Sequence, residues 1–133
     1  MKELLVFIIS LLIPLLLYRG VFILSRNYTS KTIIRQKTSL NFHHSHYGII
    51  LIFIAFLIMF FFERSLFSLI LFGLGFGAIF DEFTPLLLMK TNRKIELDVY
   101  RRSFKSTLIL FIFIIILLMA LYFITRYSQN LLV

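Results

Sequence analysis

The chain has 133 residues, 60% of them hydrophobic and 15% charged, with a mean hydropathy of +0.97 and a formal net charge of +8. Soluble domains run near half apolar and a quarter charged, so this composition excludes a water-soluble globular fold, and its hydrophobicity excludes an intrinsically disordered chain. The absence of cysteine removes disulfides, zinc–thiolate sites and thiol catalysis.

Residues 4–24 form the first predicted span, about 31 Å long as a helix and interrupted by Ser10, Pro14 and Arg19. Met1-Lys2-Glu3 ahead of an apolar run imitates a signal peptide, but no small-x-small cleavage pattern follows where the run ends, so the segment reads as an uncleaved anchor. Arg19 lies close to the end of the run, and its side chain is expected to snorkel to the interface as an anchor. Residues 25–46 then carry Arg26, Lys31, Arg35 and Lys37 without an acid, in a Ser- and Thr-rich polar loop.

Residues 47–62 and 66–80 form the second and third predicted spans, joined only by Glu63-Arg64-Ser65, which forces an antiparallel hairpin. At about 24 and 22 Å both are shorter than a typical hydrocarbon core. Thr84-Pro85 follows, and the missing N–H of Pro85 predicts a helix stop or kink that frees the carbonyl of residue 81. Residues 89–105 form a second basic loop with Lys90, Arg93, Lys94, Arg101, Arg102 and Lys105, where Glu96 and Asp98 are expected to make solvated pairs with Lys94 or Arg101. Residues 107–124 make the fourth span, a nearly unbroken Ile, Leu and Phe run expected to face lipid on most sides. Tyr18, Tyr47, Tyr100, Tyr122 and Tyr127 fall near span ends, as interfacial tyrosines do.

The fold class is therefore an all-α, polytopic membrane bundle of four transmembrane helices, with residues 1–133 as a single integral membrane domain and no internal repeat or heptad. Ten of the fourteen basic residues sit in the 25–46 and 89–105 segments. Basic segments between spans mark the cytoplasmic side, which places both termini and the 63–65 turn outside, facing away from the cytoplasm. The expected partners of these segments are membrane lipids with anionic head groups, and not nucleic acid.

All three histidines, His43, His44 and His46, cluster at the start of the second span, and the adjacent carboxylates Asp81 and Glu82 close the third. A hairpin with so short a turn returns these ends to one interface. If the second helix begins near Ser39, His43 and His46 lie on one face, with His44 about 100° round from His43. Imidazole and carboxylate together suit a divalent metal without any thiolate, so His43, His44, His46, Asp81 and Glu82 are candidate ligands. The competing reading is that the histidines hydrogen-bond to head groups, to the two carboxylates or to backbone carbonyls. Along the third span, Gly73, Gly77 and Asp81 share one narrow stripe, while Gly75, Ala78 and Glu82 share another. Small residues admit close neighbours in lipid, so this span is expected at the centre, gripped from two sides. A GxxxG homodimer through Gly73 and Gly77 is disfavoured, because helices of the same chain need that surface.

His43-His44 followed by Gly48, and the glycine-rich run ending in Asp81-Glu82-Phe83, resemble a family of small prokaryotic multi-span membrane proteins of unassigned activity. Its motifs read HxHHxxxG and GxGxxxxxDEF, followed by a further acid to which Asp98 corresponds. Here Asn41 occupies the first histidine position and His46 is additional. The resemblance covers about residues 41–100; it implies the same site and names no reaction. Two function classes follow from the residues: a metal-dependent membrane enzyme acting on a lipid or lipid-linked substrate, or a non-catalytic protein, such as a transporter subunit or proton-linked membrane protein. Of these, an integral membrane protein without assigned catalysis is the favoured reading, since no motif specifies a nucleophile or substrate pocket.

The orientation is testable with reporter fusions after Arg35, Ser65, Lys94 and Val133. Cytoplasmic reporter activity is expected at Arg35 and Lys94 only; activity at Ser65 and Val133 would reverse the topology.

Overall fold

A computed structural model describes residues 1–24, 43–62, 64–88 and 96–131. Among the described residues there are four helices: α1 Lys2–Leu24, α2 His44–Phe61, α3 Leu66–Leu88 and α4 Glu96–Leu131. Each is long and apolar enough to cross a membrane. The chain is an all-α, multi-span integral membrane protein.

The helices outrun the apolar stretches that announce them. α2 starts at His44, so His44, Ser45 and His46 belong to the helix and His43 is its extended N-cap residue. α4 has 36 residues and starts at Glu96, so residues 96–105, expected as loop, continue the fourth span as one rod of about 54 Å. A helix hydrogen-bonds its own backbone whatever its side chains, and hydropathy marks only the part suited to lipid. α3 corrects the expected stop at Pro85, because it runs through that residue to Leu88. The carbonyl of Asp81, deprived of its helical donor, accepts instead from Arg19 Nη2 at 3.0 Å. Prolines inside membrane helices are tolerated when a neighbour satisfies the freed carbonyl in this way. The loops expected at residues 25–42 and 89–95, together with Asn41, Glu63 and the side chains of Glu96 and Asp98, lie outside the described residues and side chains.

The turn between α2 and α3 is closed by serine. Ser68 N–H donates to Ser65 Oγ and Ser65 N–H donates to Ser68 Oγ, each at 3.2 Å. This reciprocal pair satisfies two donors at the start of α3, much as a capping box does. At the other side of the turn, Phe62 N–H bonds to the Ile58 carbonyl at 2.9 Å and ends α2.

α3 packs against all three other helices, and α1 also touches α4. Its two small-residue stripes serve different neighbours. A Cβ at Gly73 would stand 2.6 Å from Ser10 Cβ and 2.8 Å from the Phe7 carbonyl oxygen; at Gly77 it would collide with the Leu11 carbonyl and lie 3.0 Å from Pro14 Cγ. Both positions face α1. The second stripe faces α2: a Cβ at Gly75 would lie 2.7 Å from the Gly48 carbonyl oxygen, and one at Gly48 would lie 2.6 Å from that of Gly75. Two glycines thus meet back to back, and backbone separation here is set by carbonyl oxygens.

The apolar core is small. Leu11, Leu15 and Phe111 are buried, with Phe7, Phe76, Phe80 and Ile115 packed around them. Phe80 meets Phe111 edge to face at 6.4 Å. Most of α4 beyond this contact, including Phe113, Ile116 and Phe123, is exposed, as is Ile109 just before it, in keeping with a lipid-facing fourth span. Glu3 on α1 pairs with Arg64 of the turn at 2.9 Å, so the start of α1 and the 63–65 turn share one end of the bundle. His43 and the acids of α3 lie at the other end.

Replacing Gly73 or Gly77 with Leu drives a side chain into the α1 backbone. Overpacking of this kind costs about 1–3 kcal/mol, so both variants should unfold at lower temperature in detergent than the parent. Ile109→Ala, on an exposed face, should leave the transition nearly unchanged.

Candidate functional site

Six polar residues of the spans gather at the end where α2 begins. Arg19 comes from α1, Asp81 and Glu82 from α3, and Tyr100, Ser103 and Thr107 from α4. The α4 residues fall on one helical face, since spacings of three and four residues superimpose positions along a helix. All six side chains are buried.

Arg19 sits at the centre of this group and is only 4% exposed, which corrects the expectation of an interfacial anchor. A guanidinium carries five N–H donors, and all five find acceptors here. Nε donates to Asp81 Oδ1 at 2.6 Å. Nη1 donates to the Tyr100 carbonyl and to Ser103 Oγ, the latter at 3.3 Å. Nη2 donates to the Asp81 carbonyl at 3.0 Å and to Thr107 Oγ1 at 2.9 Å. The Tyr100 ring lies beneath the guanidinium, its centroid 5.1 Å from Cζ. Snorkelling offers only water and head groups. Inside the bundle a carboxylate, two freely accepting hydroxyls and two carbonyls are already aimed at one point, so the inward conformation wins.

Glu82 is fully buried and turns away from Arg19 toward α2. Its Oε1 lies 2.5 Å from His43 Nδ1 and accepts from the Tyr100 hydroxyl at 3.2 Å, while Oε2 accepts from Ser45 N–H at 2.6 Å. Glu82 therefore caps the N-terminus of a neighbouring helix: it takes an otherwise orphaned backbone donor and places negative charge at the positive end of the α2 dipole. The close Gly48–Gly75 contact one turn along brings the two helices near enough for this.

The three histidines divide their roles. His43 is 29% exposed and holds Glu82. His44 stacks flat on Tyr18 of α1, with ring centroids 3.7 Å apart and planes inclined by 9°. His46 is exposed; its Nδ1 accepts from His43 N–H at 3.2 Å, and the two imidazoles stack at 5.9 Å.

The expected convergence of histidine and carboxylate at one end of the hairpin is thus present, through His43 and Glu82. The five candidate metal ligands do not, however, gather around one point. Asp81 is held by Arg19 on the α1 side of α3, Glu82 by His43 on the α2 side, and among the described residues no group of three His, Cys, Asp or Glu is placed to hold an ion. The two stripes of α3 explain the split, because adjacent carboxylates leave a helix about 100° apart. Asp81 Oδ2 is buried and meets no donor among the described residues.

The sequence reading passed over Arg19, Tyr100, Ser103 and Thr107 as members of the site. The available signal was the polar face of α4 at the mouth of an otherwise apolar span, together with an arginine inside an apolar run. Gly48 was visible within the motif, but its pairing with Gly75 was not. No family model, curated protein sequence or solved structure matches the chain.

Arg19→Ala would leave the Asp81 carboxylate buried without its counter-charge and strand four further acceptor contacts. The expected loss is about 3–5 kcal/mol of stability, read as a lower unfolding temperature in detergent. Arg19→Lys should rescue little, since an ammonium has three donors and no planar fork. Arg19→Ala combined with Asp81→Ala should be more stable than Arg19→Ala alone, because the stranded charge is gone.

Proposed function

We propose that this is a proton-linked, non-catalytic membrane protein, of the kind that serves as a small transporter subunit, in which Glu82 carries the proton and His43 delivers it. The observation that carries this reading is the 2.5 Å approach of His43 Nδ1, on a partly exposed ring, to Oε1 of a carboxylate with no exposure of its own. Buried ionisable groups in membrane spans mark proton or substrate pathways by default, and histidine is the side chain suited to exchange protons near neutrality.

The transfer needs no further reactant. A proton leaves Nδ1 of the imidazolium and joins Oε1, giving neutral imidazole and a carboxylic acid; the reverse step restores the ion pair. The groups around Glu82 respond to its charge: His43, His44 and the Ser45 N–H at the start of α2, Tyr18 from α1, the Tyr100 hydroxyl from α4, and neighbouring Asp81 with Arg19 across α3. Neutralising Glu82 removes the negative charge from the α2 N-terminus, so protonation loosens the attachment of α2 to α3. Arg19, tied to α1, α3 and α4, keeps the other three helices fixed meanwhile.

The end bearing this site is assigned to the cytoplasmic face, on the asymmetry of the basic segments, and those segments are assigned to anionic lipid head groups. The resemblance to small prokaryotic membrane proteins with HxHHxxxG and GxGxxxxxDEF motifs remains part of this reading; the two segments that carry it lie against each other, Gly48 on Gly75 and His43 on Glu82.

Infrared difference spectra of the protein in lipid, recorded between two pH values, should contain a carboxylic-acid carbonyl band that Glu82→Gln removes. His43→Ala should keep the band and slow its appearance by roughly two orders of magnitude, the usual contribution of a positioned proton-transfer group. Spectra of Glu82→Gln identical to those of the parent would defeat the assignment, as would an unchanged rate in His43→Ala.

A further inference from the structure

The opposite end of the bundle holds a cleft of about 640 Å³ between the first turn of α1, the 63–65 turn and the last turns of α4. Its rim carries Lys2, Arg64 and Arg126, and its walls include Phe7 and Tyr122. These three are the only basic residues in the N-terminal segment, the α2–α3 turn and the chain beyond the fourth apolar run, and they come from positions far apart in sequence. Chain folding brings all of them to one opening.

Like charges at one site repel, and among the described residues lining the cleft Glu3 is the one carboxylate set against them. Glu3 pairs with Arg64 at 2.9 Å, while Arg126 Nε donates to the Tyr122 hydroxyl at 3.4 Å. Among the described side chains, three cations against one acid leave an excess of positive charge at the level where spans end and head groups begin. The shape of the cleft completes the picture: beyond Ile115 most of α4 is exposed, and the cleft between it and α1 is lined by Leu4, Phe7 and Leu69 beside the polar residues. A polar cationic rim over an apolar wedge at the bilayer surface fits an amphiphile with an anionic head.

We propose that this cleft binds one anionic phospholipid, its phosphodiester received by Arg64, Arg126 and Lys2 and the first part of an acyl chain laid against Phe7 and Tyr122. Guanidinium groups suit the contact, since their planar forks match phosphate oxygens. Glu3 competes with the phosphate for Arg64. The assignment is independent of the histidine–carboxylate site, which lies at the other end of the helices.

The test is native mass spectrometry of the full chain, released from detergent after incubation with phosphatidylglycerol. The parent should retain one phosphatidylglycerol at least about tenfold more tightly than phosphatidylcholine. Arg64→Gln with Arg126→Gln should lose that preference, and Ile109→Ala, on an exposed face of α4 outside the cleft, should keep it. Glu3→Gln should bind more tightly than the parent, a change of sign that a merely structural ion pair would not produce. Full retention by the Arg64/Arg126 variant overturns the proposal, as does weaker binding by Glu3→Gln. Displacement of the lipid by an equal concentration of inorganic phosphate overturns it too, since the cleft would then be a site for the free anion.

Discussion

A guanidinium inside a four-helix membrane bundle must be neutralised and fully hydrogen-bonded, and much of this structure follows from that requirement. Removing a charge from water costs several kcal/mol even after relaxation, and only close, well-aligned partners offset it. Arg19 reaches such partners on two other helices. For them to converge, α1, α3 and α4 must meet at one depth and in one rotational setting. The apolar contacts alone would permit sliding, because lipid-facing and helix-facing leucines differ little in energy within a bilayer. The polar cluster therefore fixes the register of the bundle, while the apolar residues supply its surface.

Close approach is the second condition, and the glycines of α3 provide it. Gly73 and Gly77 let the α1 backbone come within contact of α3, and the Gly48–Gly75 pair does the same for α2. Each stripe ends in a carboxylate that serves the helix it faces: Asp81 holds Arg19 of α1, and Glu82 caps the start of α2. Pro85 adds to the same arrangement, since the carbonyl it frees becomes one of the acceptors of Arg19. A feature that would break a helix in water here contributes a ligand to a buried cation. Adjacent acids on one helix thereby acquire different work, one locked among three helices and one connected through His43 to the surface.

Different residues were legible to different degrees. The two stripes of α3 and the return of Asp81 and Glu82 to the histidine end could be read from helical spacing and the three-residue turn, because both are local geometry. The role of Pro85 was half legible: the freed carbonyl follows from proline chemistry, but the continuation of the helix depends on a donor from α1. Arg19 was misread as an anchor because its position near a span end is compatible with water, and the acceptors that draw it inward lie 62 to 88 residues away in sequence. Tyr100 looked like an ordinary interfacial tyrosine until that partner was in place, and Ser103 and Thr107 carried no pattern of their own.

By itself the sequence determined the class of the protein, its four apolar helices, its hairpin and the two packing faces of its central helix. These are consequences of hydropathy, of the 3.6-residue period and of turn length, all of which act over a few turns of chain. The tertiary structure alone decided which polar groups pair. It separated the five expected metal ligands into an Arg19–Asp81 lock, a His43–Glu82 contact, a His44–Tyr18 stack and an exposed His46 stacked on His43, and it gathered Lys2, Arg64 and Arg126 around one cleft. Such pairings turn on distances of a few ångströms between helices remote in sequence, where one donor more or less reverses the balance between burial and solvation, and no local pattern records that balance.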